Sequence, residues 1–255
     1  RITGVNDAPV AVNDTLALKQ GESTSSFNPA ANDTDVDNGD TRRVIGVINP
    51  TTNLGQATLN TINNTVSYTA GSAFNYLAAG QTKTETFSYT VEDRYNGSDR
   101  GDVSVTITGV NDAPEAVDDV VKVGAGQSLR FDPTSNDRDV DQGDALRVSS
   151  VSLGNLARGA ISIGSDGKLF YESSGKFDFL PQGSSAVETV NYTISDKLGA
   201  QSSGKINVVV DGVNDAPIGQ IDSFSLLEDQ AIAVEDILLA NDTDIDQGDK
   251  RSIKD

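Results

Sequence analysis

Cysteine, histidine, methionine and tryptophan are all missing from the 255 residues. Without cysteine there is no disulfide and no thiolate ligand. Without histidine there is no imidazole ligand and no Ser–His–Asp or Cys–His nucleophile. Zinc loses its usual nitrogen and sulfur donors with them. Basic residues are scarce, 19 against 38 acids, for a net charge of −19. A chain this acidic repels nucleic acid and anionic lipid, so neither is expected as a partner. Aromatic residues are 5% of the chain, which leaves little to stack on sugar rings. Long apolar runs are absent as well, and no segment reads as a membrane span or a signal peptide.

What is present is repetition. Gly-Val-Asn-Asp-Ala-Pro occurs at Gly4–Pro9, Gly109–Pro114 and Gly212–Pro217, separated by 105 and 103 residues. A second phrase keeps step with it: Asn32-Asp-Thr-Asp-Val-Asp-Asn-Gly-Asp40, Asn136-Asp-Arg-Asp-Val-Asp-Gln-Gly-Asp144 and Asn241-Asp-Thr-Asp-Ile-Asp-Gln-Gly-Asp249. Two unrelated words at one period mean tandem copies of a module of about 104 residues. The phase gives a tail of a preceding copy (1–7), a first repeat (8–112), a second (113–215) and the start of a third (216–255). Each full repeat has the size of a domain. The third stops before most of the strands of the others and is not expected to fold alone. With Arg1 rather than Met at its start, the chain reads as a piece of a longer array.

The second repeat reads as seven short strands: Val117–Val123, Gln127–Asp132, Leu146–Leu153, Ala160–Ile163, Lys168–Glu172, Val187–Ser195 and Lys205–Asp211. Asp166-Gly167 marks a hairpin turn, because a tight turn needs the positive φ that glycine supplies. The first repeat follows the same order, with Phe87, Tyr89 and Val91 alternating on one strand, Val103, Val105 and Ile107 on another, and Asn63-Asn64 at a turn. Helical periodicity is unconvincing throughout; Phe74–Ala79 and Phe177–Leu180 hold a short turn at most. Short strands with turn signals every 8–12 residues describe an all-β, antiparallel sandwich. Tyr68, Tyr89, Tyr171 and Tyr192 fall on core-facing patterns, whereas Tyr95 sits in the sixth-to-seventh connection.

Strands that alternate up and down bring the second-to-third and sixth-to-seventh connections to the end where the chain arrives. That gathers Asn6, Asp7, Asp33, Asp35, Asp37, Asp40 and Asp93 in the first repeat. In the second it gathers Asn111, Asp112, Asp137, Asp139, Asp141, Asp144 and Asp196. So many carboxylates raise one another's pKa and oppose folding unless a counter-charge is present. Calcium takes about 6–8 oxygens in irregular geometry, whereas magnesium demands an octahedron and keeps its waters. The opposing reading is polar turn chemistry, since Asn-Asp and Asp-x-Asp also bond to their own backbone; three in-phase copies favour calcium. An EF-hand does not fit: glycine falls at position seven (Gly39, Gly143, Gly248) and position twelve is Val44 or Val148.

Val-Asn-Asp-Ala-Pro, the Asp-rich loop and the period together resemble cadherin-type repeats, in the form of the cadherin-like and VCBS-type repeats of large bacterial RTX-type adhesins. The resemblance spans the chain. It implies immunoglobulin-like (cadherin-like) sandwiches in an elongated array, calcium near the junctions, and a place outside the bacterial cell, at its surface or secreted. Carried over by position, the ligands are Asn6, Asp7, Asp33, Asp35, Asp37 and Asp93; Asn111, Asp112, Asp137, Asp139, Asp141 and Asp196; and Asn214, Asp215, Asp242, Asp244 and Asp246. The family's paired acids match Asp137 and Asp139, or else Asp139 and Asp141. Two departures stand out. The stretches Tyr76–Gly80 and Phe179–Gly183 carry no acid, and the early glutamate is present only as Glu115, with Val10 and Ile218 in its place elsewhere. Fewer ions per junction than in a cadherin are therefore expected.

The resulting expectation is a calcium-stiffened extender of an adhesin active in biofilm and cell adhesion, with calcium ions and neighbouring repeats as partners. The alternative is that the repeats themselves grip glycans or other copies. Catalysis is not expected, because acids repeated in every module differ from a single active site.

Overall fold

Alternating β-branched and aromatic residues build long strands because each buries one face and leaves the other to solvent. In the computed structural model, which describes residues 3–24, 26–155, 157–233 and 235–253, two units separate. One holds the residues up to Ala113 together with Asp139–Ala145; the other holds Pro114–Arg138 and everything from Leu146 on. Residues 1 and 2 of the expected tail, and 234, 254 and 255 of the third copy, lie outside the described residues.

The first unit contains β1 (Asp14–Lys19), β2 (Arg43–Ile48), β3 (Gly55–Asn60), β4 (Thr65–Ala70), β5 (Thr82–Glu92) and β6 (Ser98–Thr108). One sheet has the order β1-β6-β5-β2, and β3 pairs with β4. Ser23 and Phe27 bridge Thr69 and Val66 of β4, where the second repeat has a full strand. The second unit contains β7 (Asp119–Gly124), β8 (Ser128–Phe131), β9 (Arg147–Leu153), β10 (Ala160–Ile163), β11 (Leu169–Glu172), β12 (Ser185–Ser195) and β13 (Gln201–Asp211). Its sheets run β7-β13-β12-β9 and β10-β11-β8. The chain is all-β, as its patterning indicates. All named pairings are antiparallel except two: the first strand of each repeat lies parallel to the last, Asp14 opposite Val103 and Asp119 opposite Ile206.

Each unit has its own core. Val66, Tyr68, Phe74, Phe87, Tyr89, Val91, Val103, Val105 and Ile107 are buried in the first, and Leu169, Tyr171, Phe177, Val190, Tyr192, Ile194, Ile206, Val208 and Val210 in the second. Burying each such side chain stabilises by about 1.5–3 kcal/mol before conformational entropy is counted. The tyrosines keep their polar ends bonded: Tyr68 donates to Glu85 at 2.9 Å and Tyr171 to Glu188 at 2.7 Å. Glycine stands opposite two of them because the ring lies across the facing strand. A Cβ at Gly101 would fall 2.5 Å from the Tyr89 ring, and one at Gly204 2.6 Å from that of Tyr192. After residue 215, the described residues hold one short helix, α1 (Glu235–Leu238), and a bridge between Ile218 and Thr243, with no β-strand. No helix among the described residues is long and apolar enough to cross a membrane.

Candidate metal centre

In the first repeat the loop before β2 and the turn after β5 bring Asp35, Asp40 and Asp93 together, one carboxylate oxygen of each within 4.8 Å of the others. Asp93 is the anchor. Its Oδ1 accepts the N–H groups of Tyr95 (2.7 Å) and Gly97 (2.8 Å), and its Oδ2 accepts Asn6 Nδ2 at 2.9 Å. These donors, Asn6 first, hold its pKa below the usual carboxylate value. Asn6 belongs to the linker word, so the linker is bonded to the tip of the sandwich. Asp7 is bonded there as well, its N–H donating to Asp37 Oδ2 at 2.8 Å. Asp35 Oδ1 accepts the Asp37 N–H at 2.8 Å, and Asp40 Oδ1 accepts that of Thr41 at 2.8 Å. Asp35 Oδ2 and Asp40 Oδ2 are shut off from solvent with no hydrogen-bond partner. Buried oxygens without donors, in an oxygen-only donor set, are what a hard cation satisfies.

Asp33 goes elsewhere. Its Oδ1 accepts the Val12 N–H (2.7 Å) and the Tyr89 hydroxyl (2.7 Å), and it is 2% exposed. Its companion is Asp14 of β1, whose pKa is pushed up to about 6 by burial first and by the Asp33 charge second, against a bond from Asn32. The second repeat repeats this. Asp137 accepts the Val117 N–H (2.7 Å) and Tyr192 hydroxyl (2.9 Å), and burial followed by the Asp137 charge pushes Asp119 up to about 6. Asp14, Asp33, Asp119 and Asp137 each keep one buried oxygen without a partner. Sequence reading missed Asp14 and Asp119, although they recur at the period of the linker word, with Asp222 in the third copy. Asp40, which the topology places near the site, is not among the ligands that the resemblance implies, yet it lies with Asp35 and Asp93.

The loop of the second copy divides between the units and is described with each. In the first unit, Asp112 N–H donates to Asp141 Oδ2 at 2.8 Å, Asp141 N–H to Asp139 Oδ1 at 2.9 Å, and Asn111 Nδ2 to the Asp112 carbonyl at 3.0 Å. Burial and the neighbouring Asp139, Asp112 and Asp144 raise the Asp141 pKa. Gln142 N–H reaches the Tyr76 carbonyl at 2.9 Å. In the second unit Asp196 is fully buried and accepts the N–H groups of Leu198, Gly199 and Ala200. Glu115 is engaged by Arg138 at 2.9 Å.

The third copy repeats the pattern within the second unit. Asp244, Asp246 and Asp249 bring oxygens within 4.8 Å. Asp215 N–H donates to Asp246 Oδ2 at 2.8 Å, Asn214 Nδ2 to the Asp215 carbonyl at 2.8 Å, and Gln220 N–H to Asp242 Oδ1 at 2.7 Å. Asp215 is raised by burial and then by Asp178. The stretch Phe179–Gly183 itself carries no acid, but Asp178 immediately precedes it, at the position held by Asn75 in the first repeat.

The bacterial cadherin-like domain model matches residues 6–109 and 111–212. None of the curated proteins matches the chain. Among solved structures, human CDH23 EC21-23 superposes with a TM-score of 0.50 at 16% identity, covering 95% of this chain and 81% of that one. Mouse Cadherin-23 EC22-24 gives 0.47 at 14% identity, covering 81% and 64%. The chain spans 45% of the Protocadherin Gamma B2 cadherin domains 1-5, at a TM-score of 0.43, 14% identity and 90% of its own length. The match to the human structure, at this identity, speaks to the fold alone. With two consecutive matches covering most of its length, the chain belongs to the bacterial cadherin-like domain family.

Proposed function

We propose that these repeats are calcium-stiffened extender segments of a bacterial adhesin, outside the cell at its surface or secreted, of the RTX and VCBS type associated with biofilms. The observation that carries the reading is the pair of buried, partnerless oxygens of Asp35 and Asp40 beside Asp93. A cation there, held by Asp35, Asp40 and Asp93, removes the repulsion among them. It also tightens the bonds of Asn6 to Asp93 and of Asp7 to Asp37, which fasten the linker to its own repeat. A fastened linker has fewer conformations, and the array stiffens. Neighbouring repeats and calcium ions are the partners of this reading, and it assigns the chain no catalytic step.

Gripping of glycans or of other copies by the repeats is the rival, supported by Tyr95, which is 63% exposed with the Arg94 guanidinium 5.3 Å from its ring centre. Thermal unfolding in EDTA, in millimolar calcium and in magnesium tests the extender. A ligand at 100 times its Kd stabilises the native state by about 2.7 kcal/mol. A calcium-specific rise in Tm, with greater extension in solution scattering, supports it; coincident curves remove it.

A further inference from the structure

Two Asn-Gly dipeptides occur in the chain, Asn38-Gly39 and Asn96-Gly97. Both border the acid cluster of the first repeat, one in the Asp-rich loop and one in the turn between β5 and β6. Their surroundings differ at the glycine nitrogen. Gly97 N–H donates to Asp93 Oδ1 at 2.8 Å, and a Cβ on Gly97 would meet Asp93 Oδ2 at 2.4 Å and Ala8 Cα at 3.0 Å. That peptide is bonded and hemmed in. Gly39 has nothing within 4 Å of the same position, and its φ is +84°. Asn38 and Gly39 are both exposed, inside a turn closed by the Asp40 N–H on the Asp37 carbonyl at 3.2 Å. Among the described residues the Gly39 N–H makes no hydrogen bond.

We propose that Asn38 is a deamidation site. The Gly39 nitrogen gives up its proton to base and attacks Asn38 Cγ; the new N–C bond closes a succinimide, and the side-chain nitrogen leaves as ammonia. Water then opens the ring at one carbonyl or the other, leaving aspartate or isoaspartate. Glycine favours closure because it lacks a Cβ to obstruct the approach and is free in backbone conformation. Either product adds a carboxylate between Asp37 and Asp40, and isoaspartate also inserts a methylene into the turn. The other two copies carry Gln142 and Gln247 here, whose extra methylene requires a larger, slower-closing ring. The modification is thus confined to the first repeat, and its chemistry does not depend on whether a cation fills the cluster.

The test is incubation of the whole chain at mildly alkaline pH, followed by digestion and quantitative mass spectrometry of the peptides bearing Asn38, Asn96 and Asn207. Asn207, inside β13, is the slow reference. Asn38 is expected to be lost first, with aspartate and isoaspartate in its place, and Asn38→Gln is expected to abolish that product while leaving the Asn96 peptide unchanged. Conversion of Asn96 as fast as Asn38, or survival of Asn38 to the extent of Asn207, overturns the assignment.

Discussion

The Tyr89 hydroxyl donates to Asp33 Oδ1 at 2.7 Å, so the first acid of the Asp-rich triple is held by a core tyrosine. The triple is thereby divided: Asp33 faces the sandwich with Asp14, while Asp35 joins Asp40 and Asp93. Tyr192 and Asp137 repeat the arrangement in the second unit. Tyr89→Phe removes one of the two donors, the Val12 N–H being the other, to a carboxylate that is 2% exposed. It should destabilise the first repeat by about 1–3 kcal/mol, the usual penalty for stranding a buried acceptor. Urea unfolding of Tyr89→Phe against the parent chain measures it; an unchanged midpoint would mean that water replaces the hydroxyl.

Asp14 and Asp119 set a pH dependence. Their folded values of about 6 lie above the ordinary 3.8, so the native state holds these protons more tightly than the unfolded chain. Their contribution to stability is full below about pH 4 and is lost as pH rises through about 6. In EDTA, Tm should therefore rise as pH falls across that window. Asp14→Asn with Asp119→Asn should flatten the slope and raise Tm at neutral pH.

The cation cluster separates from fold stability by substitution. Asp35→Asn or Asp40→Asn leaves one fewer charge to repel Asp93, so in EDTA the first repeat should unfold no earlier than the parent. In millimolar calcium the same variants should lose the rise in Tm of that repeat. Calorimetry with and without calcium reads both effects.

Gly101 and Gly204 tolerate no side chain. A Cβ at either would sit 2.5 or 2.6 Å from a tyrosine ring carbon, and overpacking of this kind costs about 1–3 kcal/mol. Gly101→Ala is expected to lower the unfolding midpoint. Gly39→Ala, where a Cβ finds open space, meets no such obstruction, although its positive φ still disfavours alanine.

Glu115 should matter little to either property. Its ion pair with Arg138 joins side chains that are 63% and 72% exposed, and exposed pairs contribute little. Glu115→Gln should leave both Tm and the response to calcium unchanged in the same calorimetric series.

Much of the architecture is legible in the sequence because apolar alternation and turn residues carry it. Ala160–Ile163 is recovered with its boundaries, and Gly167 takes the positive φ expected of it. The polar halves of the long strands are not legible. Gln201–Gly204 and Ser98–Asp102 lie in strands only because a partner supplies the hydrogen bonds, and Ser, Gly and Asp give no periodic signal of their own. The parallel pairing of β1 with β6 is equally hidden, since alternation fixes which face is buried and not the direction of the neighbour. At the candidate site, repetition identified the carboxylates. Their division into two groups depended on where Tyr89 and Tyr192 point, which no spacing in the Asp-rich words reveals.

The parallel alignment of β1 with β6, from Asp14 opposite Val103 to Lys19 opposite Thr108, means that the chain enters the first repeat at one end and leaves it at the other. Tension applied through the two linkers therefore runs along these strands, not across them. The rungs between β1 and β6 are sheared together and share the load, where a hairpin pulled from its open end would unzip one bond at a time. The same holds between Asp119–Gly124 and Ile206–Asp211.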